Sequence, residues 1–172
     1  MKFVALALCS GFALSFAGSL QAAPMPPCLA NGSPLAQNDA QVETWEDTTA
    51  NQFLSRGHIA GKIVAIYPDH NGHKHFGVQI GASAEDAIEV IYNLSFGALP
   101  PLAVGMDVEA CGDYITSTAP SGPYPASPDQ AILHWVHGSH SHHPAGYVAI
   151  QGVVYGQGAG NGGGAPLDGS VD

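Results

Sequence analysis

Residues 58–80 read HIAGKIVAIYPDHNGHKHFGVQI, two apolar runs on either side of a turn, and their reading decides the fold class. His58–Tyr67 is rich in branched residues and stops at PDHNG, a cluster of turn formers. Lys74–Ile80 then alternates, placing Phe76, Val78 and Ile80 on one face and His75 and Gln79 on the other. Working outward, Ala87–Tyr92 is a third strand, Met106–Ile115 a fourth and Ala131–His137 a fifth. Tyr147–Tyr155 is a last strand, or a hairpin about Gly152. Every proline falls outside these segments, as strands require. Between the third and fourth, NLSFGALPPLAVG is a turn or short helix, and TSTAPSGPYPASPDQ (116–130) is a long loop, either functional or mobile.

On the N-terminal side, Val42, Trp45, Phe53 and Leu54 fall near helical spacing within residues 39–54. Asp39 is the expected N-cap, and Glu43, Glu46 and Asp47 lie where acids suit a helix dipole. Five or six short strands, one helix and the step Leu102, Gly105, Val108, Gly112 predict a mainly β protein. The expected form is a small closed barrel of the oligonucleotide/oligosaccharide-binding (OB) type, over residues 57–155. A proline-rich leader and the helix occupy 23–56, and the glycine-rich tail 156–172 has no core-forming residues and reads as disordered.

Residues 1–22 read as a secretory signal peptide: Lys2, then FVALAL and GFALSFAG, then the small residues of SLQAA. A membrane span is a poorer reading, because the run is short and broken by Ser10, Gly11 and Ser15. The chain is then secreted or periplasmic and keeps no membrane segment once the signal is removed. Without Lys2 only Arg56, Lys62 and Lys74 remain against 14 acids, where the full chain carries a formal charge of −10. So few bases exclude phosphate tracking, and nucleic acid is not an expected partner. Cys28 and Cys111 remain after processing; in an oxidising compartment the pair makes one disulfide, worth about 4 kcal/mol by the loop-entropy model, against an alternative of two buried thiols.

The chemistry lies in the histidines. HWVHGSHSHH (134–143) holds five of the nine, and neutral imidazole is the common side-chain ligand of zinc and its neighbours. In a straight strand His134 and His137 face opposite sides, so sharing an ion requires a bend or an end between them. His75 projects from its strand opposite Phe76 and meets them if the first hairpin lies beside the fifth strand. His70 and His73 read as polar turn residues, and His140 and His142 as a loosely metal-binding polar loop. Nucleophile elbows, phosphate loops and dinucleotide fingerprints are missing from the sequence.

Three runs together, GHIAGKIVAIYPDHNGHKHFGVQI, NLSFGALPPLAVGMDVEACGDY and ILHWVHGSHSHHPAGYVAIQGVVY, resemble the secreted bacterial proteins grouped as domain of unknown function 3465. The resemblance covers roughly residues 57–155, and HWVH followed by HHPAGY is its most specific piece. It carries over to His75, Asn93, His134, Trp135, His137, His143 and Gly146. Tyr92 stands where the family has a second strand histidine, Asp113 replaces Glu, and Tyr147 replaces Trp. The resemblance implies compartment and site rather than an activity.

Together these readings predict an exported module holding zinc, another divalent transition metal or a small polar ligand. Its metal ligands are His75, His134, His137 and His143, with Trp135, Asn93 and Asp113 lining the site. One alternative is a metal-assisted hydrolase using Asp69 or Asp113 as base. Another is an envelope interaction domain without metal.

Overall fold

In a computed structural model, the residues described are 25–139 and 143–158. The predicted signal peptide, His140, His142 and most of the predicted tail lie outside them. A small hairpin, β1 (Leu29–Ala30) and β2 (Ser33–Pro34), turns about Asn31 and Gly32, both left-handed. This corrects the expectation of an irregular leader. Helix α1 follows (Asp39–Thr48), then strands β3 (Leu54–Ile66), β4 (His73–Gln79), β5 (Ala87–Asn93) and β6 (Asp107–Thr116). Strands β7 (Ala131–His134), β8 (Tyr147–Ile150) and β9 (Val153–Tyr155) complete the set.

The protein is mainly β. Strands β3, β4, β5, β7 and β6 pair in that order, and β6 pairs back onto β3, closing a five-stranded barrel. The β5–β7 pair is parallel, while the other barrel pairs are antiparallel. Strand β6 is shared: Val108–Cys111 pair with β8 and Asp113–Thr116 with β7, so the β8–β9 hairpin hangs from the barrel wall. The β3–β4 turn carries consecutive left-handed residues, Asn71 (φ 48°) and Gly72 (φ 75°). An Asn-Gly pair supplies that geometry at little cost and matches the strand twist.

The core follows the alternation. Ile59 and Ile63 of β3, Phe76 and Val78 of β4, and Ile88, Val90 and Tyr92 of β5 are all fully buried. Leu133 and Tyr114 join them from β7 and β6, each large apolar side chain contributing roughly 1.5–3 kcal/mol. Helix α1 covers one end of the barrel with the buried Val42, while Trp45 meets Phe53 and Tyr114 at ring-centre distances of 5.7 and 5.4 Å.

Several boundaries differ from expectation, among them the start of β3, which lies at Leu54 and not at His58. The helix stops at Thr48, not near Leu54: Thr48 and Thr49 are β-branched and their hydroxyls bond back to the carbonyls of Thr44 and Trp45. Asp39 is not the cap; Asn38 occupies that position, and both side chains instead accept from the β3 backbone, at His58 N and Ala60 N. The fifth predicted strand ends at His134, because Trp135 takes a left-handed φ of 51°.

Cys28 and Cys111 form a disulfide across 83 positions, holding residues 25–35 against the outside of the barrel as a strap. At the other end, Gly156 O accepts from Gly138 N and the Gln157 amide donates to Gly146 O. The segment after β9 is thus docked at its start, where the sequence predicts disorder from residue 156.

Candidate functional site

The register lines up one row of polar side chains on the outside of the barrel. Core positions alternate with outward ones, so His73 and His75 of β4, Glu89 of β5 and His134 of β7 share the outer face. Asp113 of β6 lies opposite His134, and Arg56 of β3 lies opposite Asp113. Five separate strands therefore each place a chemically active residue along one band.

Past His134 the chain turns back over this band. Trp135 in its left-handed conformation is unusual for a bulky residue, a strain that surrounding contacts must offset. Its indole stacks on His134 (4.3 Å between ring centres, 27° between planes) and on His143 (3.7 Å, 14°). Gly146 makes the return possible: a Cβ there would stand 2.3 Å from the carbonyl oxygens of both Cys111 and Trp135. No other residue fits.

His73 sits between two other imidazoles, 5.6 Å from His134 and 6.4 Å from His75 by ring centres. Two imidazoles sharing a tetrahedral zinc at about 2 Å per bond have ring centres about 5 Å apart. The observed spacings are therefore open by roughly an ångström. Among the described residues no three His, Cys, Asp or Glu side chains form a group that could hold an ion as they stand.

Around His134 each neighbouring imidazole is anchored through Nδ1. His73 Nδ1 lies 2.9 Å from Asn71 O, His75 Nδ1 2.7 Å from Glu89 Oε1, and His143 Nδ1 3.4 Å from Asp113 Oδ2. His137 Nδ1 lies 2.8 Å from Gly138 O. All four partners are acceptors, so in the neutral ring Nδ1 carries the proton and Nε2 the lone pair. His134 itself has its pKa pushed down to about 3, first by burial and then by the neighbouring histidines His73, His137, His143 and His75. It is a neutral imidazole across the physiological range.

The remaining predicted residues sort themselves by contact. His137 is buried and stacked on Phe96 at 3.7 Å between ring centres. Asn93 accepts from Ser95 N at 2.9 Å and caps the single-turn helix Leu94–Phe96. Asp113 is held by the Arg56 guanidinium at 2.7 Å, and exposed Asp69 by Lys74 at 2.8 Å. Tyr92 faces the core, its hydroxyl donating to Gly97 O, so a histidine there would point away from the row.

Three members of the row are absent from the sequence reading. His73 reads in sequence as a turn residue, although it shares the parity of His75. Glu89 is the one charge in AIEVIYN, a signal that was there to use, and Arg56 is one of the few bases. A second buried network, His58 with Glu109 and Tyr147, has no sequence signature. Tyr147 Oη donates to Glu109 at 2.6 Å and lies 3.0 Å from His58 Nε2, while His58 Nδ1 lies 2.8 Å from Leu35 O.

Comparison of the chain with protein-family models, curated proteins and solved structures finds no match. The site's geometry therefore stands alone as the basis for a functional reading.

Proposed function

We propose that this protein is an exported, OB-like barrel module that binds a divalent transition metal ion, zinc being the first candidate, through outward-facing histidines. The ligands in this reading are His73, His75, His134 and His143, with Trp135 as the wall of the site. One observation carries it: imidazoles around a neutral His134 are fixed by Nδ1 bonds to carboxylate or carbonyl oxygens, leaving Nε2 as the lone-pair nitrogen. Metal-bound histidines are oriented by outer partners of this kind. His137, stacked on Phe96, supports the site from behind in this reading instead of joining the ligand set. The leader at 1–22 and the disulfide support an oxidising compartment.

The same lone pairs suit a small polar ligand that donates hydrogen bonds. The hydrolase alternative gains no base, since Asp113 is engaged by Arg56 and His143, and Asp69 by Lys74.

Equilibrium dialysis of untagged protein against Zn²⁺, Cu²⁺ and Ni²⁺, with elemental analysis, separates the readings. One tightly held ion per chain, lost in His134→Ala and in His73→Ala but kept when His140 and His142 are both replaced, is the expected result. Binding that disappears only with His140 and His142 overturns the proposal. No binding of any of the three ions leaves the polar-ligand reading.

A further inference from the structure

The sequence retains few basic side chains outside the leader, and one of them, Arg56, is almost completely withdrawn from solvent. Its side chain is 9% exposed, and that of its partner Asp113 is 11% exposed. The guanidinium reaches four acceptors on three separate parts of the chain. Nε donates to Leu29 O of the strap at 3.1 Å, and Nη2 donates to Cys111 Sγ of the disulfide at 3.2 Å. Nη1 donates to Asp113 Oδ1 at 2.7 Å, and Nη2 donates also to Ala145 O, two residues beyond His143. Asp113 divides its carboxylate between Arg56 on Oδ1 and His143 on Oδ2.

We propose that Arg56 is a positioning residue of the histidine site, linking the disulfide-held strap to the His143 arm through Asp113 and Ala145. The inference rests on the metal-binding reading above for its consequence, though not for its geometry. A planar guanidinium presents five donors in a fixed fork, so one side chain sets the directions of all these contacts at once. A lysine is a point charge on a flexible stem and cannot reproduce them. His143 has few other constraints: Ser139 Oγ donates to its carbonyl, and its ring lies on Trp135. Fixing the Asp113 carboxylate therefore fixes the tautomer and direction of the His143 ring. Losing that hold releases an arm of the site without touching His73, His75 or His134.

The first measurement is ring-nitrogen NMR of His143 at about pH 8, where an ordinary imidazole is neutral. Wild type is expected to show the proton on Nδ1, and Arg56→Lys a shift of population towards Nε2–H. Zn²⁺ affinity should fall about tenfold in Arg56→Lys, the usual scale for removing an outer-shell partner. In a His143→Ala background the same substitution should cost nothing further, whereas in a His75→Ala background the two losses should multiply. If Arg56→Lys does not fold, Asp113→Asn serves instead. Its amide oxygen still accepts from Arg56 while its NH₂ faces His143 Nδ1 and inverts the tautomer. Cys28→Ser, which frees the strap but leaves Arg56 in place, should shift the same nitrogen signals in the same direction.

A His143 tautomer unchanged in both Arg56→Lys and Asp113→Asn overturns the proposal. So does an Arg56→Lys affinity loss that is equal in the two histidine backgrounds. No change in Cys28→Ser overturns the strap's part in it. Should wild type bind no Zn²⁺ while the tautomer still shifts, the metal reading fails and the positioning role stands.

Discussion

Replacing Glu46 with glutamine is expected to stabilise this protein at alkaline pH and to leave it unchanged in acid. Glu46 lies on α1, partly buried, and its pKa is raised from 4.5 to about 8. Burial is the main cause, followed by repulsion from Asp47, Asp129, Asp86 and Glu43. Between about pH 4.5 and 8 the folded chain holds a proton here that the unfolded chain has released, so stability falls as pH rises through that window. Below it both states are protonated and the cost vanishes. At about 1.4 kcal/mol per pKa unit the full shift corresponds to roughly 5 kcal/mol. Solvent screening of a partly exposed carboxylate cuts this to about 2 kcal/mol. Glutamine keeps the shape and removes the charge. Thermal unfolding at about pH 9 should give Glu46→Gln a Tm higher by about 6 °C, with coincident transitions near pH 4.5. A gap between variant and wild type that is the same at both pH values, or reversed in sign, would refute the reasoning.

Three other outcomes follow from the geometry. Gly146→Ala drives a methyl group into two carbonyl oxygens and should destabilise by about 2–3 kcal/mol in urea unfolding; a neutral result would mean that the His143–Tyr147 segment does not pass so close to β6. Glu89→Gln keeps the size of the side chain but weakens its charge-assisted bond to His75, so zinc affinity measured by calorimetry should drop about tenfold. An unchanged affinity would remove His75 from the ligand set. Cys28→Ser opens a loop of 83 positions and should lower stability by about 4 kcal/mol, read as a fall in the urea midpoint with a rise in m as the unfolded chain expands.

Much of the barrel was legible because its strands obey a period of two. Phe76 and Val78, or Ile88, Val90 and Tyr92, announce a buried face, and Asn71-Gly72 announces the turn between the first two barrel strands. Boundaries were less legible where tertiary contacts override local pattern. Phe53 and Leu54 sit at helical spacing from Trp45, yet Gln52 turns left-handed and Leu54 begins β3. His137 looks like a continuation of β7, but Trp135 breaks the strand, and no propensity argument places a tryptophan at positive φ. Part of the site was legible in the same way: His75 opposite Phe76, and His134 at a strand end. His73 is not legible, because a turn of polar residues and the first residue of a strand look alike in sequence. Glu89, Asp113 and Arg56 belong together only through register between β5, β7, β6 and β3. Those strands are far apart in the chain, and their pairing leaves no local trace.

The parallel pairing of β5 with β7 has a consequence before the native state exists. β5 is complete at residue 93, but its second neighbour begins only at residue 131, so β5 waits as an open edge while the chain between them is placed. A run such as AIEVIY, apolar and strongly β-forming, templates pairing with other molecules when left unpartnered. The single carboxylate of Glu89 interrupts it in the manner of a gatekeeper against self-association. The side chain that orients an imidazole in the finished barrel is thus also placed to limit self-association of an unfinished one, and Glu89→Gln is expected to lower the yield of soluble protein on refolding.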